Sequence, residues 1–525
     1  MRISKTTLAV AVLTATAGLS ACGGGGGSSS SSSTDSASAT SLSKITDDPA
    51  NLNGRGDWGS IVISGYGEIN AGDSNNQAQS EAVPDGVTRW FGGTDNSDSS
   101  GNIDYVVVAE TGTTFRPDEE VQGITVEAAG SGTTIDHYQV VQSDDDGIEF
   151  FGGALNLKHY VANGVTDDSL DIDLGYQGTV QYALIRQGAN FGDRGIESDN
   201  NGDAFGATPK SKPTIANITI LGNYGNGGSS SSESRAVMHR EGFGGSVYRS
   251  FYGDNEIVAG ATGKWTNGCI DVDDEVDGDM VYGDVYLQCS SGDLWQGMDS
   301  GASGASFQED FSNEVNGTTY DVTDGGAVDA GTLAVTASGY SSNSAYDTVL
   351  SNAGLDNVSY LGAVDPSAST PFWDGWTYRD SAVEGNLPGG DFHPLEKEIG
   401  DGTISPASTS DCASINSDFV DGDKVTEFGV DFPVCIIPAG RMMTDTTLTN
   451  DHIYVLDGTL NVGDGDAESA HDPSTVAKVN LTIEEGTQIF GATGTRATLV
   501  ITRGSQIHAN GSAAMPIIFG GVDAS

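Results

Sequence analysis

The feature that most constrains this chain is a repeat. The runs TTIDHYQVVQSDDDGIEF (133–150), LNLKHYVANGVTDDSLDID (155–173) and TVQYALIRQGANFGDRGIESD (179–199) share one plan. An alternating apolar strand leads to a turn rich in Asp and Gly, and a second short strand follows that carries an acidic residue. Ile135, Leu157 and Val180 stand 22 and 23 residues apart, and Glu149, Asp171 and Glu197 stand 22 and 26 apart. A period near 23 suits one coil of a parallel β-helix. Further turns of the same kind are legible at 213–223, 246–255 and 279–289, spaced more widely because loops such as GNGGSSSSES intervene. Loops of that sort cost little, since closure entropy grows slowly with length.

Coils stacked at about 4.8 Å turn equivalent positions into rows. The acidic positions Asp144, Asp145, Asp146, Asp167, Asp168, Asp171, Asp173, Glu197 and Asp199, with Asp273 and Asp277 further on, are therefore expected to crowd along one stripe. Like charges at that spacing repel. A divalent cation relieves the repulsion, and Ca2+, with oxygen ligands and flexible geometry, is the fitting candidate. The plainer alternative is that these are solvating and turn-forming carboxylates with no ion. Asp146 and Asp168, one coil apart, also form a candidate acid and base for glycoside hydrolysis, and Lys158, Arg194 and Arg240 are the candidate bases for a lyase. His137 and His159 hold equivalent strand positions and read as ladder partners in preference to a metal pair.

Charge excludes one class of partner. With 74 Asp+Glu against 22 Lys+Arg, the formal charge of -52 repels phosphate backbones, so nucleic-acid binding is not expected. Arg2 and Lys5 precede an apolar run that ends Leu19-Ser20-Ala21-Cys22. This start resembles a bacterial lipoprotein signal, which implies cleavage before Cys22, its acylation, and an outer-membrane or surface address. Residues 23–48 read as a Gly/Ser-rich tether. Cys269, Cys289, Cys412 and Cys435 remain, and the simplest pairing is local, Cys269 with Cys289 and Cys412 with Cys435, although sequence alone allows three connectivities.

GDWGSIVISGYGEIN (56–70), FGGTDNSDSSGNIDYVVVAETG (91–112), GSGTTIDHYQVVQSDDDGIEFFGG (130–153) and DDSLDIDLGYQGTVQYALIR (167–186) resemble a group of exported bacterial right-handed parallel β-helix lipoproteins, largely without assigned activity. The resemblance implies an all-β solenoid. It also implies that YLGAVDPSASTPFWDGWTYRD (360–380), with Trp373 and Trp376, finishes the solenoid. The order of segments departs from that group, because the family's opening strands, here HIYVLDGTLNV, VNLTIEEGTQIFG, ATLVITRGSQIHANGS and MPIIFGG, stand at 452–521. The expected organisation is a β-helix body at 49–383, a linker at 384–411 and a C-terminal β-module at 412–525.

An opening coil displaced in this way leaves two complementary apolar edges. They can meet between molecules, within one molecule, or in a longer tandem protein of which this is a part. The first is the expectation carried forward: a cell-surface protomer that polymerises head to tail by strand complementation, with Trp58, Ile61, Ile63, Ile517 and Phe519 at the interface. The alternative is a carbohydrate-active β-helix that binds or cleaves a surface polysaccharide.

Overall fold

The computed structural model describes residues 54–84, 86–115, 121–188, 191–222, 234–254, 265, 268–272, 276, 280–289, 295–296, 321–381 and 383–522. Cys22, Asp273 and Asp277 lie outside the described residues. Among the described residues of 38–525 the chain is a parallel β-helix. The strands aligned by the repeat are paired as the spacing requires: Ile135 faces Leu157, Leu157 faces Val180, and Glu149, Asp171 and Glu197 follow one another on a second ladder.

Inward positions form apolar ladders because alternation in a strand sends every second side chain to the same side. One ladder runs Ile103, Ile135, Leu157, Val180, Ile215, Val247, Tyr282. All seven side chains are buried. A second runs Val108, Val140, Ala162, Ile185, Ile220, Tyr252, Leu287. Each side chain sealed in this way contributes on the order of 1.5–3 kcal/mol.

The second ladder does not begin at Val108. It starts at Cys435 and passes through Tyr454, Ile489 and Phe519 before reaching Val108. On another face Leu499, Val500 and Ile501 pair with Ile61, Val62 and Ile63. The coils of the C-terminal segment therefore stack directly under the first coils of the same chain. This corrects the expected intermolecular interface. Trp58, Ile61, Ile63, Ile517 and Phe519 are fully buried within one chain, Trp58 stacks on Phe519 at 6.2 Å, and its Nε1 donates to the Ala109 carbonyl at 2.7 Å. The complementary edges satisfy each other within one chain.

Residues 333–411 carry the chain back along one side of the solenoid as a strap. Asn343 N–H donates to Asp284 Oδ2 at 2.8 Å on a late coil, Ala363 N–H donates to Thr219 Oγ1 at 2.8 Å, and Ala407 N–H reaches Asp451 O at 2.9 Å on an early one. The face beneath is apolar: Val107, Val141, Val161, Leu184 and Leu221 point outward from their strands and meet Leu361, Trp373, Trp376 and Leu395. Trp373 and Trp376 thus cover a lateral face, where the resemblance placed them at the solenoid's end. Two buried glutamines fasten the strap. Gln139 accepts from Tyr378 N–H at 2.8 Å and donates to its carbonyl at 2.9 Å, and Gln181 holds Asp356 in the same two-sided way at 2.9 Å each.

Both ends of the described solenoid are stapled. Cys269 is bonded to Cys289 in the late coils, and Cys412 to Cys435 at the first strand. No helix among the described residues is long and apolar enough to cross a membrane.

Candidate functional site: an acidic face

The acidic face is built by the turn that joins two strands of each coil. In DDDGI, Gly147 lets the turn approach the next coil closely, since a Cβ there would collide with Tyr160 Oη and the Ser169 carbonyl. From inside, Tyr138 Oη donates to Gly147 O at 3.0 Å and Tyr160 Oη to Ser169 O at 2.5 Å, fixing two successive turns from the core side. Asp146 Oδ1 accepts the Asp168 N–H at 2.9 Å, and Asp168 Oδ1 accepts the Arg194 N–H at 2.6 Å. Each aspartate caps the backbone of the coil above it. The candidate acid and base are thus a repeated structural contact, with one oxygen of each already engaged.

Beside these turns the outward ladder Glu149, Asp171, Glu197 adds three carboxylates at coil spacing. Four overlapping groups result, each with its carboxylate oxygens within 4.8 Å of one another: Asp145, Asp146 and Asp167; Asp146, Glu149 and Asp171; Asp167, Asp168 and Asp193; Asp168, Asp171 and Glu197. Burial, followed by the neighbouring carboxylates, pushes Asp146, Asp168 and Asp171 well above the ordinary range. Burial also raises Asp199, with Arg240 opposing. Negative charge held in this setting calls for a proton or a cation.

Of the other candidate ligands, Asp144 stands apart beside Arg55, and burial raises its carboxyl while Arg55 opposes. Asp173 lies near Asp171 and Asp199 without joining a group of three. Arg240, expected as a candidate lyase base, stands at the acidic face as an ion-pair partner. Its guanidinium bridges Asp199, at 2.8–2.9 Å through Nε and Nη2, and Glu197 Oε1, at 3.2 Å through Nη1. Lys158 lies elsewhere, 3.1 Å from Asp356 on the strap. Arg194 is buried against Asp193 and Met238.

His137 and His159 stack at 4.3 Å, 14° from parallel, between Tyr105 and Tyr182. Both Nδ1 atoms meet Asp136 Oδ1, at 3.1 and 2.6 Å. Burial opposes charge on His137, but hydrogen bonds to Asp104 and Asp136 outweigh it and hold the imidazole above its ordinary pKa. Asp136, His137 and His159 each bring a ligand atom within 4.8 Å of the other two, a further donor group among the described residues. The histidines are ladder partners here, under Trp376 and Phe372 of the strap.

Residues 45–281 match the family model described as a pectate-lyase-like beta helix domain, a span that contains the whole acidic face. No curated protein and no solved structure matches the chain.

Proposed function

We propose that the chain is a surface lipoprotein, anchored through Cys22, whose acidic face holds a divalent cation and through it an acidic polysaccharide. The observation that carries this reading is the set Asp168, Asp171 and Glu197, three carboxylates converging within 4.8 Å in a largely buried setting. All the donors are oxygens; burial and the neighbouring carboxylates raise Asp168 and Asp171, and Arg240 offsets part of the charge through its 3.2 Å contact with Glu197. That chemistry fits a hard cation such as Ca2+ better than a metal that prefers nitrogen or sulfur. Asp168, Asp171 and Glu197 are the residues that would hold it, with Asp146 and Glu149 one coil below. The bound cation would supply the charge against which a uronate carboxylate can rest on a surface that otherwise repels anions. The pectate-lyase-like match over 45–281 supports a carbohydrate ligand.

Binding is favoured over cleavage by the state of the three basic side chains. Lys158 is engaged on the strap, Arg194 is enclosed, and Arg240 is held charged by the carboxylates around it, although burial works against that charge. A proton-abstracting base needs to give up its proton.

Affinity electrophoresis through gels containing polygalacturonate tests the proposal. Migration is expected to be retarded in calcium and restored by chelator, and the Asp171→Asn/Glu197→Gln double variant is expected to run unretarded. Retardation that is equal in chelator, or absent with a panel of acidic polysaccharides in calcium, sinks the reading.

A further inference from the structure

We propose that His137, His159, Asp136 and Asp104 form a site for a divalent transition metal, Zn2+ by preference, at the aromatic corner beside the strap. These residues are separate from the acidic face, so the inference does not depend on the cation reading above.

The corner gathers nitrogen and oxygen donors because the same positions recur once per coil. Asp104, Asp136 and Lys158 follow one another on a single row, and His137 and His159 come directly after Asp136 and Lys158. Lys158 is held by Asp356 of the strap at 3.1 Å, so its charge is paired there. His137 Nδ1 lies 3.2 Å from Asp104 Oδ1 and 3.1 Å from Asp136 Oδ1, and His159 Nδ1 lies 2.6 Å from that same Asp136 oxygen. The two ring nitrogens therefore converge on one point, which Asp136 Oδ1 fills. All four side chains are partly exposed, so an ion can enter from solvent.

Packing alone does not ask for imidazole at this corner. Tyr105 and Tyr182 hold the equivalent corners of the flanking coils, with φ of 50° and 63° against 48° at each histidine, and they stack on the same pair of rings. Imidazole adds a metal-binding nitrogen, which a phenol that keeps its proton near neutral pH does not replace. Two imidazoles with carboxylate oxygens make a mixed donor set. That set suits Zn2+, Cu2+ or Ni2+, where the all-oxygen acidic face suits Ca2+. To hold an ion at the usual zinc–nitrogen distance of about 2.0–2.1 Å, both Nδ1 atoms accept rather than donate and Asp136 yields its place to bind from beyond it. The rings, 14° from parallel, splay toward the ion. The competing role, a hydrogen-bonded stack alone, takes up no metal.

Calorimetric titration of the purified, untagged chain with Zn2+, and electron paramagnetic resonance with Cu2+ in its place, separate the two roles. Both are run in excess calcium, which occupies all-oxygen sites. One Zn2+ per chain is expected, with the Cu2+ spectrum split by nitrogen. His137→Tyr and His159→Tyr copy the neighbouring corners and should keep the fold, which circular dichroism checks. Each is expected to weaken Zn2+ binding at least about tenfold, since losing even an outer-shell partner costs that much. Where a tyrosine variant does not fold, Asp136→Asn takes its place and is expected to show the same loss. No Zn2+ uptake by the unaltered chain, a Cu2+ spectrum without nitrogen coupling, or folded variants that bind as tightly as the unaltered chain overturns the proposal. In each of those cases the reading of the acidic face stands, because calcium and chelator test it on other residues.

Discussion

At the corner of successive coils, Tyr105, His137, His159, Tyr182, Asn217, Arg249 and Asp284 all have φ between 48° and 63°. Left-handed backbone at a bulky side chain costs on the order of 1–2 kcal/mol. Here the first four rings stack on one another, and Arg249 binds Asn357 at 2.6 Å and Asp347 at 2.5 Å on the strap, so the strained corners are also the contact points. Gln139 acts differently, offering a side-chain amide where a neighbouring strand would offer a peptide. Gln139→Leu removes its hydrogen bonds with the Tyr378 N–H, the Tyr378 carbonyl and Asn163 Oδ1, and should cost about 2–3 kcal/mol in urea unfolding. A loss under about 0.5 kcal/mol, within the range of an ordinary surface change, contradicts the docking role. The acidic ladder and the aromatic corner could be read from 22-residue spacing, because both repeat once per coil. Arg240 was legible as a basic candidate but its pairing with Glu197 and Asp199 was not, since these partners sit across an irregular turn whose length the repeat does not fix.

Among the elements, the strands under the strap show why Trp373 and Trp376 are lateral. VVVA at 106–109, YQVV at 138–141 and YALI at 182–185 lack polar alternation, the mark of a strand covered on both faces, and that signal was available in the sequence. The first strand, Val434–Met442, has a partner along only part of its outer edge, the short pairing at Ile436 and Cys435. Pro438 and the register shift before Gly440 interrupt the ladder there, and both discourage further pairing. The acidic element carries a pH prediction. Because burial raises Asp146, Asp168 and Asp171 above their unfolded values, the folded chain binds more protons than the unfolded one, and stability falls as pH climbs from the ordinary carboxylate range through the raised one. In chelator, urea midpoints are therefore expected to be higher at pH 5 than at pH 8. Calcium should flatten that slope by replacing the proton, and identical slopes with and without calcium would speak against an ion on this face.

For the whole molecule, closure of the ladder within one chain is the property the sequence left open. Complementary edges state which strands fit together; they are silent about which molecule supplies them. The strap resolves the matter by spanning from the coil of Asp284 to that of Asp451 while burying its own apolar residues on the way. A protease site placed at Gly389-Gly390, which face open space or only an arginine side chain, should leave the two pieces associated in gel filtration and separable only in denaturant. Spontaneous separation in native buffer would show that the strap, rather than the ladders, holds the halves together.

Closure also sets a clock. Arg503 donates to Gln77 Oε1 at 3.0 Å across 426 positions, and the edge at Ile61–Ser64 stays bare until the strand around Leu499 exists. At 5–20 residues per second of synthesis, that wait lasts on the order of a minute. When the chain is made in the cytosol without residues 1–22, it carries an unprotected, aggregation-prone template for this interval, and escorting factors act before residue 500 emerges. Slowing translation late in the message should therefore lower the soluble yield more than slowing it early.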